Sequence, residues 1–260
     1  MKRRVFCFAL VAIFLLTFSP VASAEKPSVA RMAFFQAKPG AKAQMEEAIK
    51  KQMDWRREQK DDWGWLTWEY VSDEVGRYAV ATFGHAWQDF DQPKILPSVE
   101  EGLRKDLASL CLTPVVVQYF DHLEEVSALG TAKETPNVAE VAVFQVQFGK
   151  TAQFYEAIRQ FHIALRKAGS PERYEWFELL SGGEEPQFML FLPRPNWAAF
   201  DTQGGFLLEV LEKSVGTKKA GELFAQFTAT VKHCRRYAVR LRPDLSKLAD
   251  VPATQTQEIK

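Results

Sequence analysis

The sequence predicts an α+β protein built from two copies of one β-α-β-β-α-β unit, their sheets packed against each other. Three observations predict it. The chain repeats itself at a fixed spacing, "VARMAFFQAKPGA" from Val29 against "VAEVAVFQVQFGK" from Val138. Each copy reads strand, helix, two strands, helix, strand. The strands are apolar on both faces, so neither sheet has a side to leave in water.

Eleven of the 21 positions from Val29 to Ile49 match their partners at the same spacing, among them Phe35/Phe144, Gln36/Gln145, Gly40/Gly149 and Ile49/Ile158. The register continues through Glu69/Glu178 and Ser72/Ser181, slips by one residue, and recovers at Trp87/Trp197, Phe90/Phe200 and Asp91/Asp201. Two copies of this length make a tandem and not a solenoid.

Taken in order, Val29 to Ala37 is an apolar strand closed by Gly40. Met45, Ala48, Ile49, Gln52 and Met53 then fall at helical spacing, as do Phe154, Ala157, Ile158, Phe161 and Leu165 in the second copy. Trp65 to Val71 and Tyr78 to Phe83 read as strands around a turn at Asp73 to Gly76. Their counterparts are Tyr174 to Leu180 and Gln187 to Leu192, joined at Gly182-Gly183. A helical region follows each pair, and the last strands are Val115 to Phe120 and Tyr237 to Leu241. This order is the ferredoxin-like split unit, written twice.

The N-terminus reads as an export signal. Lys2, Arg3 and Arg4 precede an apolar run from Val5 to Phe18 and a small-residue site at Ala22-Ser23-Ala24. The expected organisation is signal peptide 1–24, first repeat 25–122, linker 123–137, second repeat 138–242 and a polar, frayed tail 243–260. Export places the protein in the periplasm or the medium. The precursor has 33 basic and 33 acidic residues, and loss of the signal removes three of the basic ones. No basic stripe suggests a nucleic-acid partner, and no second long apolar run suggests a membrane partner once the signal is cut. Cys111 and Cys234 are too sparse for a disulfide framework and read as free thiols.

Two further stretches, "HAWQDFD" and "RPNWAAFD", follow corresponding strands. With the repeat, they make the chain resemble the dimeric α+β barrel superfamily. That group includes antibiotic-biosynthesis-type monooxygenases, haem-degrading monooxygenases, NIPSNAP-like proteins and fused chlorite-dismutase-like haem proteins. The resemblance covers both repeats and implies a pseudo-dimeric α+β barrel within one chain. The haem-degrading members use an Asn, a Trp and a His. Here Asn137 and Asn196 lie outside the expected strands, which departs from that pattern.

Alternation along the second strands puts Trp65, Thr67 and Glu69 on one face and Tyr174, Trp176 and Glu178 on its counterpart. The opposite faces carry Leu66, Trp68 and Tyr70, and Glu175, Phe177 and Leu179. We assign the first sets to the barrel interior. A carboxylate in an aromatic cavity has a raised pKa and suits a general base, so Glu69 and Glu178 are the catalytic candidates. The competing structural reading pairs them with Arg or Lys near the barrel mouth. Trp65, Thr67, Tyr174, Trp176, His85, Gln36 and Gln145 are the ligand-binding candidates. His162 replaces Met53 of the first copy, which raises a haem-ligand role beside that of a satisfied helix histidine. No phosphate loop, nucleophile elbow or metal-ligand spacing is present, and neither cofactor nor metal is expected.

These features support an exported protein that binds a small apolar or aromatic molecule in a barrel cavity. The alternatives are a cofactor-independent monooxygenase-like enzyme, a haem-binding protein and a non-catalytic structural module.

Overall fold

The computed structural model describes residues 27–72, 76–91, 105–129, 136–201 and 206–248. The expected signal peptide lies outside the described residues, as do 130–135 of the expected linker and the tail beyond 248.

The first half contains β1 (Val29–Gln36), α1 (Lys42–Glu58), β2 (Leu66–Tyr70), β3 (Arg77–His85) and β4 (Val116–His122). The second contains β5 (Val138–Val146), α2 (Thr151–Lys167), β6 (Glu175–Ser181), β7 (Gln187–Arg194), α3 (Phe206–Val215), α4 (Thr217–Thr228) and β8 (Val231–Leu241). Residues 105–110 are also helical. The strands close into one barrel in the order β1-β3-β2-β8-β5-β7-β6-β4. Every neighbouring pair runs antiparallel.

Local sequence explains the helices. Met45, Ile49 and Met53 form the buried stripe of α1, while Phe154, Ile158, Phe161 and Leu165 do the same in α2. Gly40 and Gly149, matched in the repeat, turn the chain from strand into helix at φ 82° and 80°.

Three apolar clusters follow from strands that are greasy on both sides. One fills the barrel around Trp68, Tyr70, Phe177 and Tyr237. A second lies outside it beneath α1, around Phe35, Trp65 and Tyr78. The third lies beneath α2 and α4, around Phe144, Phe154, Trp176 and Phe227.

The barrel has two seams between its halves, β2 with β8 and β4 with β6. Each is reinforced by an arm that crosses over. After β8, a turn at Pro243–Leu245 buries Leu245 in the α1 layer, and Lys247 pairs with Trp65. After β4, a turn at Glu124–Val126 buries Val126 in the α2 layer, and Ala128 pairs with Tyr174. The bonds are the same in both places. Ser246 Oγ accepts from the Thr67 amide at 2.9 Å, and Ser127 Oγ accepts from the Trp176 amide at 2.9 Å.

This arm corrects the frayed tail expected from residue 243, because a short turn with one buried Leu carries no periodic signal. The last strand is also longer than expected. Residues 231–236 are mostly polar and exposed yet pair along β5. Backbone pairing on a solvated overhang leaves no apolar pattern to read. Cys111 is a buried free thiol and Cys234 an exposed one.

At the β2–β8 seam, the Glu69 carboxylate accepts from Lys42 Nζ at 2.6 Å, Arg240 Nη2 at 2.7 Å and Arg242 Nη1 at 3.1 Å. Burial raises its pKa, but the bonds from Arg240, Lys42 and Arg242 outweigh this and hold it at about 2. Lys42 and Arg240 are half exposed, so water screens part of the attraction.

Two predictions follow from the seams. A depressed carboxylate stabilises the fold above its unfolded value of about 4.5 and loses that contribution as pH falls toward 2. Glu69→Gln should therefore cost about 1–2 kcal/mol at neutral pH. The gap to the unaltered protein should close between pH 4.5 and 2 in thermal melts, and a gap constant with pH would refute the clamp. At the other seam, a Cβ on Gly182 would stand 2.1 Å from the Val117 carbonyl oxygen, at a φ of +92°. Gly182→Ala should lower urea stability by about 2–4 kcal/mol; a loss below 1 kcal/mol would show that the β4–β6 seam yields easily.

Candidate functional site

The barrel interior contains a cavity of about 200 Å³. Alternation on β2 turns Leu66, Trp68 and Tyr70 into it, and alternation on β6 turns Glu175 and Phe177 into it. Met32 and Phe34 of β1, and Met189 and Phe191 of β7, complete much of the wall. Trp68 meets Phe191 edge to face at 5.0 Å, and Tyr70 meets Tyr237 likewise at 5.2 Å. Arg77 lies over the Tyr70 ring at 4.8 Å.

Polar groups enter this lining with Arg173 and Glu175. Burial pushes the Glu175 carboxyl above the ordinary range, against the pull of Arg173. His122 Nε2 stands 3.6 Å from Glu175 Oε2, and its ring stacks on Phe177 at 4.9 Å. Arg173 is steadied by a bond from its Nε to the Leu129 carbonyl at 2.6 Å. A carboxyl biased toward its protonated form, beside an imidazole and an apolar cavity, can exchange a proton with a bound molecule.

The expected face assignment is reversed. Trp65, Thr67 and Glu69, with Tyr174, Trp176 and Glu178, face outward to the helical layer. Both sets are aromatic and largely apolar, so comparing their polarity could not decide between them. The physical reason is that the interior-facing side chains are mostly apolar. The outer face reaches the helix margins, where Glu69 finds Lys42.

Each candidate has a defined place. The Trp65 indole donates to Asp61 at 2.9 Å beneath the Arg56 guanidinium. The Thr67 hydroxyl donates to the Leu245 carbonyl at 2.6 Å. Trp176 packs on Phe144 and Phe154. His85 is bound to Thr82 at 2.6 Å and lies against Trp63, on the outer face. Gln145 donates to the Pro186 carbonyl at 3.0 Å, and Gln36 ends β1. None of the seven ligand-binding candidates lines the interior cavity.

The two glutamates differ in environment. Glu69 is the clamp described above. Glu178 has its carboxyl raised by burial and by the nearby Asp121 and Glu185. Glu175 escaped sequence reasoning because its counterpart in the first copy is Leu66, so the repeat did not mark it. His122 at the end of β4 was equally unmarked. Arg173, two residues before Glu175, was the one available hint.

His162 lies in α2 and is held by neighbouring groups. Its Nδ1 is bonded to the Tyr174 hydroxyl at 3.1 Å, and its ring also meets the Val126 carbonyl. Asn137 and Asn196 both lie outside the strands.

No protein-family model matches the chain, and none of the curated proteins does. Solved structures do resemble it. A candidate monooxygenase from Lactobacillus acidophilus NCFM superposes with a TM-score of 0.57 at 9% identity, covering 86% of this chain and 97% of that one. An anthrone oxidase-like protein gives 0.59 at 11%, covering 87% and 95%. A mutant chlorite dismutase from Candidatus Nitrospira defluvii gives 0.54 at 9%, covering 85% and 93%. At these identities the likeness concerns the fold. With its closed eight-stranded antiparallel barrel and outer helices, the chain has the fold of the dimeric α+β barrel superfamily.

Proposed function

We propose that this chain is an exported, internally duplicated pair of ferredoxin-like repeats whose shared barrel binds one small apolar or aromatic molecule. The observation that carries the reading is the aromatic interior cavity with Glu175 in its wall. An apolar cavity of about 150 Å³ accepts benzene, so about 200 Å³ suits a one- or two-ring compound. The strand order β4-β1-β3-β2 in one half and β8-β5-β7-β6 in the other supports the duplication. The apolar run ahead of Ala22-Ser23-Ala24 supports export.

A second reading makes the site an oxygenase without a cofactor, and the pKa-raised Glu175 in the cavity wall favours it. Glu175 in its ionised form takes the proton of a bound phenol. The resulting electron-rich anion then reduces dioxygen supplied from solution. The fold shared with a candidate monooxygenase supports this reading without naming the substrate.

The binding test is titration of the purified mature protein with one- and two-ring phenols and quinones, read by Trp fluorescence. Quenching should saturate, and Ala79→Leu, which fills the cavity, should weaken binding at least tenfold. Absence of any saturable response across the panel would discard the barrel site. For the second reading, oxygen uptake with a responsive phenol should fall about 10²- to 10⁴-fold in Glu175→Gln. In the unaltered protein its rate should rise with pH through a midpoint above 4.5, the ordinary carboxylate value. An unchanged rate in the variant would remove Glu175 as the base.

A further inference from the structure

The barrel cavity keeps its polar groups at one end. Glu175 is the first residue of β6, Arg173 stands just before it, Pro136 just before β5, and Phe83 near the end of β3. In this antiparallel barrel those positions share one rim. Phe83 is exposed, so the rim meets water. Away from it the wall is apolar, with Met32, Trp68 and Met189. A ligand seated here has its ring inside and its polar group at the rim.

Two ionisable groups decide what that polar group is. Arg173 donates its Nε–H to the Leu129 carbonyl at 2.6 Å, which fixes the stem. Among the described residues, its Nη groups donate to nothing and no carboxylate pairs with it. Glu175 attracts it electrostatically without a hydrogen bond, and burial biases the Glu175 carboxyl toward its neutral form. Behind Glu175 stands His122, 3.6 Å away, which is either neutral or positive. Neighbouring acids are engaged elsewhere: Glu172 binds Arg194, and Asp121 binds Ser28.

The rim therefore leans positive. A cationic ligand would meet Arg173 with little to offset the repulsion, and a neutral one would leave the Nη groups to water. A carboxylate gives the planar guanidinium two matched acceptors. At a wet rim it also keeps part of its hydration, so that only the ring leaves water.

We propose that the barrel ligand is an aromatic carboxylate of one or two rings, its ring in the apolar cavity and its carboxylate against the Nη groups of Arg173. The inference rests on the barrel-binding reading and makes Arg173 the residue that sets the ligand's charge class.

Three probes of similar shape test it on the full mature protein at neutral pH: 4-ethylbenzoate, an anion; 4-ethylacetophenone, neutral; and 4-ethylbenzylamine, a cation. Calorimetry gives their affinities. The benzoate should exceed the ketone by about tenfold, and the amine should bind weakest. Added salt should narrow that spread. Arg173→Met should reduce the benzoate to the level of the ketone and leave the ketone unchanged, while Arg173→Lys should keep part of the preference. Should Arg173→Met lose ketone binding as well, Arg173→Gln keeps an amide donor for the Leu129 carbonyl and carries the same expectation. Ala79→Leu should weaken all three probes, which locates them in the barrel. If no probe saturates, or if Ala79→Leu changes none of them, the barrel-binding reading falls and this inference with it. Ketone binding that Ala79→Leu weakens, with no advantage for the benzoate, overturns the inference alone. So does a benzoate preference that survives the loss of Arg173.

Discussion

A barrel that is apolar inside can have no free edge. Each strand of this molecule is greasy toward the interior, and an open sheet edge would expose both unpaired amides and that surface. Closure therefore rests on the two places where the halves meet, β2 with β8 and β4 with β6. The paired ladder is short at β2–β8, with three matched residues, and an ion cluster stands beside it: Glu69 gathers Lys42, Arg240 and Arg242, and Arg242 also reaches Glu46. Among the described residues, the β4–β6 seam has no such cluster at the matching Glu178. It relies on close backbone approach at Gly182, where a side chain would strike Val117.

The near-symmetry of the halves makes their differences informative. The strand order and the bonds of the crossing arms recur, down to the serine that receives an amide in each. The cavity walls do not agree. Leu66 faces Glu175 in the repeat register, and Tyr70 faces Leu179. In the helices, Met53 corresponds to His162. Matched positions thus carry the scaffold, while the cavity carboxylate Glu175 stands on the second half and meets His122 of the first. A retained residue such as Glu69/Glu178 proved to mark the outer layer, where one copy is ion-paired and the other is raised by burial and neighbouring acids.

Much of the fold was legible. The fixed spacing from Val29 to Ile49, the helical stripes and the turns at Gly40, Gly149 and Gly182 all correspond to observed elements, with α1, α2 and the central strands found near their expected bounds; residues 73–75 of the turn expected at Asp73 to Gly76 lie outside the described residues. Two things were not legible. Which face of β2 and β6 points inward depends on strand tilt and closure, and both faces of each strand are apolar enough to serve. Contacts such as His122 with Glu175 join residues from different halves, so no local pattern holds them. Sequence repetition reports what the copies share, and a binding site is built where they diverge.

The crossing arms bear on how the protein is made. Residues up to Lys247 are needed to cover the layer beneath α1, which belongs to the earliest-synthesised part of the domain. Until those residues have been synthesised, the first half cannot complete its cover. Pairings this distant in sequence slow folding and prolong exposure of sticky strands. Such a chain gains from staying extended until the arm at Pro243–Leu245 has emerged.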